Sequence, residues 1–205
     1  LIRAMYGEMA SATFFGPYDK MEEPYIRVST GDFEEIKARN GRDNAVFAVL
    51  HSVAHELTHY FQWVNELELT VIGEERIPDE PVLFIGNHRS YFDILLTYSR
   101  CRDLTGFVAK KEMLNYPFLR TWMKRVYCLF LDRDNIREGL KTILTAIDQV
   151  KNGISVFIFP EGTRNKGEEL SLLPFHAGSF KIAEKSGCPI VPVALNNTIN
   201  IFEGH

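Results

Sequence analysis

The spacing of apolar residues changes character twice along the chain. Residues 1–20 hold no sustained period and are punctuated by Gly7, Gly16 and Pro17, as an irregular segment would be. Tyr25 to Thr30 alternates apolar and polar, which predicts a short strand ended by Gly31-Asp32. From Asp43 or Asn44, either of which suits an N-cap, apolar residues recur at helical spacing through Phe47, Leu50, Leu57 and Phe61. That stripe predicts one long amphipathic helix reaching about Val64. From Glu66 to Ile72 the pattern becomes alternating, and Gly73 and Pro78 mark a turn. Beyond it, apolar runs of strand length (82–85, 106–109, 128–132, 155–159, 190–195) alternate with helical segments (91–99, 117–125, 136–151, 178–186). This order predicts an α/β fold: a mixed, partly parallel sheet flanked by helices, preceded by a mainly helical N-terminal segment. The last run, Pro189 to Leu195, reads as a buried strand. Neither a Gly/Ser linker nor a repeat separates the two parts, so the break is expected near residue 68, with domains over 1–68 and 69–205.

Composition changes this picture little. The 205 residues, 45% hydrophobic and 24% charged, suffice for one domain or two small ones. No run approaches the roughly 18 apolar residues of a membrane span. The N-terminus lacks both a secretory signal and a starting Met. Cys101, Cys128 and Cys188 are widely spaced, without a C-x-x-C, which predicts reduced thiols in a cytosolic protein. Charge is uneven. Residues 1–68 carry 6 Lys+Arg against 11 Asp+Glu, while residues 100–141 carry 10 against 5, a net of +5. A locally basic segment suits an anionic ligand or membrane surface, though a solvated face carries the same signature.

Three stretches bear candidate chemistry. His55-Glu56-Leu57-Thr58-His59 is an H-E-x-x-H on the long helix. Histidines at i and i+4 share a helix face and can grip Zn²⁺, while the glutamate can deprotonate a metal-bound water. The stretch resembles the zincin metallopeptidases. It is not a metzincin: Gln62 and Asn65 stand where that group needs Gly and His. A third ligand is not evident. Glu66 lies seven residues past His59, roughly 10 Å along the axis, and Glu74 and Glu75 require the chain to fold back.

The second stretch is Val82 to Asp93, VLFIGNHRSYFD, an apolar strand running into a polar turn. Five helical residues rotate by roughly 500°, so His88 and Asp93 could not meet on a straight helix. With His88 in the turn and Asp93 in the first helical turn, they can. A carboxylate-oriented imidazole is an effective base for a hydroxyl. Ser90 followed by Asp93 fits a capping box equally well. The third stretch is Phe159-Pro160-Glu161-Gly162-Thr163-Arg164-Asn165, directly after the apolar strand Val156-Phe157-Ile158. An arginine fork at the end of such a strand suits a phosphate. Between these lies Leu114–Leu131, basic and aromatic, suited to a membrane interface or to packing on the sheet.

Taken in order, NHRSYFD, the Lys110-to-Arg133 segment, FPEGTRN and PIVPVA resemble the four blocks of the glycerolipid acyltransferases, the 1-acylglycerol-3-phosphate acyltransferase family. The resemblance covers about residues 69–200 and implies an expected function. A fatty acyl group would pass from acyl-CoA or acyl carrier protein to the free hydroxyl of a lysophosphatidic acid, giving phosphatidic acid. His88 would take the hydroxyl proton and Asp93 would orient it. Lys110, Arg133, Glu161, Gly162, Thr163 and Arg164 would bind or shape the acceptor, with Arg164 on the phosphate. The oxygen would attack the thioester directly, without an acyl-enzyme, in keeping with the absence of a G-x-S-x-G elbow, and the transfer would need no cofactor. Expected partners are the lysophospholipid, the acyl donor and a membrane surface, without nucleic acid. The expected location is cytoplasmic, peripheral to the inner face of the membrane. Family members continue beyond the point where this chain stops, so the domain is expected to be cut short after His205. The competing readings are a zinc peptidase using His55, His59 and Glu56, and an inactive fusion of two partial domains.

Overall fold

The computed structural model describes residues 2–3, 9–10, 12–16, 23–29, 31–66 and 68–202. Gly7, Pro17, Thr30 and His205, named above, lie outside them. The chain divides into two compact units: residues 1–72 with 91–102, and residues 73–90 with 103–203.

In the first unit, β1 (Ile2–Arg3) pairs with β2 (Met9–Ala10), and β3 (Ala12–Phe15) pairs with β4 (Tyr25–Val28), both antiparallel. Within the segment expected to be irregular, residues 2–3, 9–10 and 12–15 are strands. They are too short to show a period of two. Next come α1 (Phe33–Asn40) and α2 (Arg42–Val64). The sequence reading overlooked α1, whose residues FEEIKARN bury none of their side chains and so leave no apolar stripe. Neither Asp43 nor Asn44 caps α2. It begins at Arg42, after Gly41, whose φ of +85° separates the two helices without a side-chain cap. Residues 68–72 form no strand. α3 (Phe92–Tyr98) packs against α2 through edge-on ring pairs, Phe61 with Phe92 at 5.6 Å and Phe47 with Tyr98 at 5.9 Å. The buried Thr58 hydroxyl donates to the Ser99 hydroxyl (3.3 Å) between the same two segments.

The second unit is built on five strands: β5 (Leu83–Gly86), β6 (Thr105–Lys110), β7 (Leu129–Leu131), β8 (Ser155–Ile158) and β9 (Ile190–Val193). Their order is β7-β6-β8-β5-β9, every pair parallel. Antiparallel pairing is confined to the short N-terminal strands. The helical segments between the strands are α4 (Pro117–Arg125), α5 (Ile136–Lys151) and α6 (Lys181–Ser186), with α7 (Ile199–Phe202) after β9. The central strands β5 and β8 are buried at all four positions, as expected of strands covered on both faces. On one face Leu83, Ile85, Val156 and Ile158 join Ala146, Ile147 and Val150 of α5 and Ile182 of α6 in the core. On the other face Phe84, Phe157 and Phe107 are register partners and stack, at 5.7 and 4.8 Å between ring centres. β9 is not the buried strand expected. It lies at the sheet edge with Ile190 44% exposed, where Pro192, lacking an N–H, is tolerated.

Gly106 shows how tightly β6 is held. A Cβ there would stand 2.3 Å from the Tyr127 carbonyl oxygen, the same oxygen that accepts from Gln149 Nε2. Gly106→Ala should therefore lose about 3 kcal/mol of stability. Thermal denaturation should register this as a fall of roughly 6–12 °C. Gly178→Ala, where a Cβ meets nothing within 4 Å, should stay within about 0.5 kcal/mol of the parent.

Candidate active site

Parallel strands all end at one rim, so their following loops meet there although they are far apart in sequence. The loop after β5 carries Asn87, His88, Arg89 and Ser90; the loop after β8 carries FPEGTRN. The His88 imidazole lies face to face with the Phe159 ring, with centres 4.2 Å apart and 20° between planes. Phe159 in turn contacts Phe157 at 5.0 Å, so the stacked rings of the sheet run out to the imidazole. Gly86 makes this approach close. A Cβ there would stand 3.0 Å from Phe157 and 3.2 Å from Phe159.

Glu161 is 4% exposed, and its two carboxylate oxygens accept from two separate loops. The His88 N–H donates to Oε1 (2.9 Å) and the Leu173 N–H to Oε2 (2.9 Å). The His88 carbonyl accepts from the Asn165 N–H at 2.7 Å. The backbone of His88 is thus held on both sides by the FPEGTRN segment. Asn87 clasps the chain after β9: its amide donates to the Leu195 carbonyl (2.8 Å) and its oxygen accepts the Leu195 N–H (2.7 Å). Arg89 is 3% exposed. Its guanidinium donates to the carbonyls of Gly167 and Glu168 and to the Glu169 carboxylate (3.0 Å). Glu169 also accepts the Asn197 N–H.

The remaining predicted residues are distributed as follows. Gly162 takes φ +72°, and the Arg133 guanidinium carbon would stand 3.4 Å from a Cβ there. Arg133 and Gly162, 29 residues apart, are therefore neighbours. Partial enclosure lowers the Arg133 pKa, and the nearby Glu112 charge opposes that shift; a guanidinium stays charged regardless. Arg164 is half-buried and Thr163 exposed. Lys110 is exposed at the end of β6, opposite Leu131 in register. Its neighbour Lys111 pairs instead with Asp132 (2.7 Å), a hydrogen bond that raises the lysine pKa and lowers that of the aspartate. Asp93 lies in the first turn of α3, within the first unit, and is fully buried.

In the H-E-x-x-H segment of the first unit, the Nε2 atoms of His55 and His59 are 3.1 Å apart, and His59 Nδ1 meets Gln62. Burial, then the His59 charge, lowers the His55 pKa. Glu56 points elsewhere: it is 8% exposed and accepts the Phe14 N–H of β3. Among the described residues no three His, Cys, Asp or Glu side chains gather as a metal-ligand set. Cys101, Cys128 and Cys188 form no disulfides, and burial pushes the Cys128 thiol up to about 11.

The sequence reading assigned no part to Asn87, Phe159 or Asn165, which position the loops. It also passed over His176, whose ring flanks Gly162. Asn87 and Asn165 stood beside His88 and Arg164, already singled out, but the Asn87 bond to Leu195 spans 108 positions that no local pattern connects.

Residues 68–196 match the family model described as Acyltransferase. The chain is 36% identical over 141 residues to the 1-acyl-sn-glycerol-3-phosphate acyltransferase of Saccharomyces cerevisiae, covering 68% of this chain and 46% of the yeast protein. It is 35% identical over 141 residues to the enzyme of the same name from Borreliella burgdorferi, covering 68% and 56%. The chain thus spans about half the length of these curated relatives. Among solved structures, the 1-acyl-sn-glycerophosphate (LPA) acyltransferase of Thermotoga maritima superposes with a TM-score of 0.61 at 27% identity, covering 80% of this chain and 70% of that one. With the family model spanning well over half of its length, and all four sequence blocks inside or at the edges of that span, the chain belongs to the acyltransferase family.

Proposed function

We propose that the chain carries the acyl-transfer site of a 1-acylglycerol-3-phosphate acyltransferase, with lysophosphatidic acid as acceptor and acyl-CoA or acyl carrier protein as donor. The observation that carries the reading is His88, whose backbone is fixed by Glu161 and Asn165 and whose ring is seated on Phe159. An imidazole so fixed loses little entropy on meeting a hydroxyl. His88 takes the acceptor hydroxyl proton as the oxygen attacks the thioester carbonyl. The C–O bond forms, the C–S bond breaks, and the proton passes to the departing thiolate. Asp93, five residues on, orients the imidazole and stabilises its protonated form. Arg133, Arg164 and Lys110 hold the phosphate. No metal enters this scheme. In HELTH the glutamate that would serve as a zinc peptidase's base accepts the Phe14 N–H instead.

We further propose that α4 rests on an anionic bilayer, the source of the acceptor. Phe118 is 94% exposed and Tyr116 60%, with Leu119 and Trp122 also open to solvent. The helix carries Arg120, Lys124 and Arg125 and no acidic residue. Among the described residues no helix is long and apolar enough to cross a membrane; the nine residues of α4, basic and aromatic, suit an interfacial contact.

Three outcomes test these readings. His88→Ala should lower kcat/KM for lysophosphatidic acid with an acyl-CoA donor by roughly 10²–10⁴-fold; unchanged turnover would refute the mechanism. Glu161→Gln keeps the volume of the side chain but turns an amide N–H₂ toward one of two backbone donors. It should cost about 1–3 kcal/mol in thermal or denaturant unfolding and roughly 10²-fold in kcat through displacement of His88. In flotation assays with phosphatidylglycerol-containing vesicles, Phe118→Asp/Trp122→Asp should abolish binding that raised salt only weakens. Equal flotation of parent and variant would remove α4 from the contact.

A further inference from the structure

We propose that His176 is a phosphate-binding residue of the acceptor site, acting with Arg133 across a notch left by Gly162; this rests on the acyl-transfer reading above. Gly162 occupies the FPEGTRN turn with φ +72°. A Cβ placed on it would stand 3.2 Å from both Cδ2 and Nε2 of His176 and 3.4 Å from Cζ of Arg133. The imidazole edge and the guanidinium therefore border the same bare backbone position. They lie no more than about 6.6 Å apart, the limit those distances set. A phosphate that accepts from a nitrogen about 2.8 Å away has its phosphorus roughly 4 Å from that nitrogen, so two donors within about 8 Å can share one phosphate.

His176 is exposed at its ring but fixed at its backbone. Its N–H donates to the Pro160 carbonyl at 2.9 Å, and its carbonyl accepts from the Ser179 N–H at 3.0 Å. Three residues earlier, the Leu173 N–H is held by Glu161. The segment bearing His176 is thus pinned to Pro160 and Glu161, the two residues that precede Gly162. The same carboxylate places the His88 backbone, so base and phosphate contact share one anchor. Glycine at 162 has two functions here: it takes the left-handed backbone and leaves room between the two donors. The imidazole contributes through its ring N–H and gains a charge where it is protonated; either form donates to a phosphate oxygen.

The test compares the parent, His176→Ala and His176→Lys at one pH in steady-state acylation of lysophosphatidic acid. His176→Ala should raise KM for lysophosphatidic acid about tenfold, the size expected for a lost hydrogen bond to a charged group. It should leave kcat and the KM for the acyl donor within about twofold of the parent. His176→Lys, which keeps a donor and a charge, should restore most of the acceptor KM. An unchanged acceptor KM in His176→Ala would overturn the proposal, as would a lysine variant no better than alanine or an equal rise in both KM values. Calorimetric titration of short-chain lysophosphatidic acid into the same three proteins gives an independent reading. If the parent shows no turnover, the acyl-transfer reading fails; weaker binding by His176→Ala alone would still uphold the phosphate contact, and equal binding would refute it.

Discussion

A single buried carboxylate sets the geometry of the rim. Glu161 is almost wholly enclosed, and a carboxylate in that position is tolerated only when its oxygens find donors. Both find them in backbone N–H groups, one from His88 and one from Leu173, 73 and 12 residues away in the chain. Those amides would otherwise be orphaned at the end of a parallel sheet, where the ladder bonds stop. The need runs in both directions: the carboxylate requires the loops and the loops require the carboxylate. Because three segments share one group, a displacement of any one is felt by the other two. The reciprocal amide bonds of Asn87 with Leu195, and of Arg89 with residues 167–169, extend the same arrangement toward the β9 edge.

Packing completes what these hydrogen bonds begin. Phe107, Phe157 and Phe84 lie side by side on three adjacent strands, and Phe159 carries the stack past the end of β8 to the His88 ring. Stacked aromatic pairs contribute about 0.5–1.5 kcal/mol beyond their buried area. A ring seated this way resists rotation about its χ angles, as the proposed role of His88 as general base requires. Gly86 is the condition for the arrangement, since any side chain there would meet Phe157 and Phe159 together. Sheet core and imidazole position are therefore one packing problem.

The sequence revealed the elements better than their arrangement. Apolar runs of four to six residues placed all five sheet strands within a residue or two, and α5 and α4 matched to the residue, because capping and periodicity are local. The strand order and the fully parallel pairing were not legible, since register is settled by contacts between distant segments. The edge position of β9 was hidden for the same reason: IVPV is apolar enough for a core and yet lies where Pro192 can be accommodated. HELTH illustrates the converse. Its spacing is right for a metal grip, but Glu56 faces β3 while His55 and His59 face each other, a division that only the partner strand determines.

The charged residues of the four blocks do not all serve the ligand, and burial separates them. Arg89 and Glu161 are under 5% exposed and committed to the protein's own backbone and carboxylates. A substrate phosphate recruiting Arg89 would have to displace bonds that already satisfy a buried charge, at a cost comparable to what it gained. Arg133, Lys110 and His176 are exposed at the rim, and a phosphate meeting them replaces water rather than protein. These charged residues therefore fall into two layers with opposed requirements. The inner layer must be saturated so that the outer can stay open, and the turn at Gly162, between Glu161 and Arg164, is where the chain passes from one to the other.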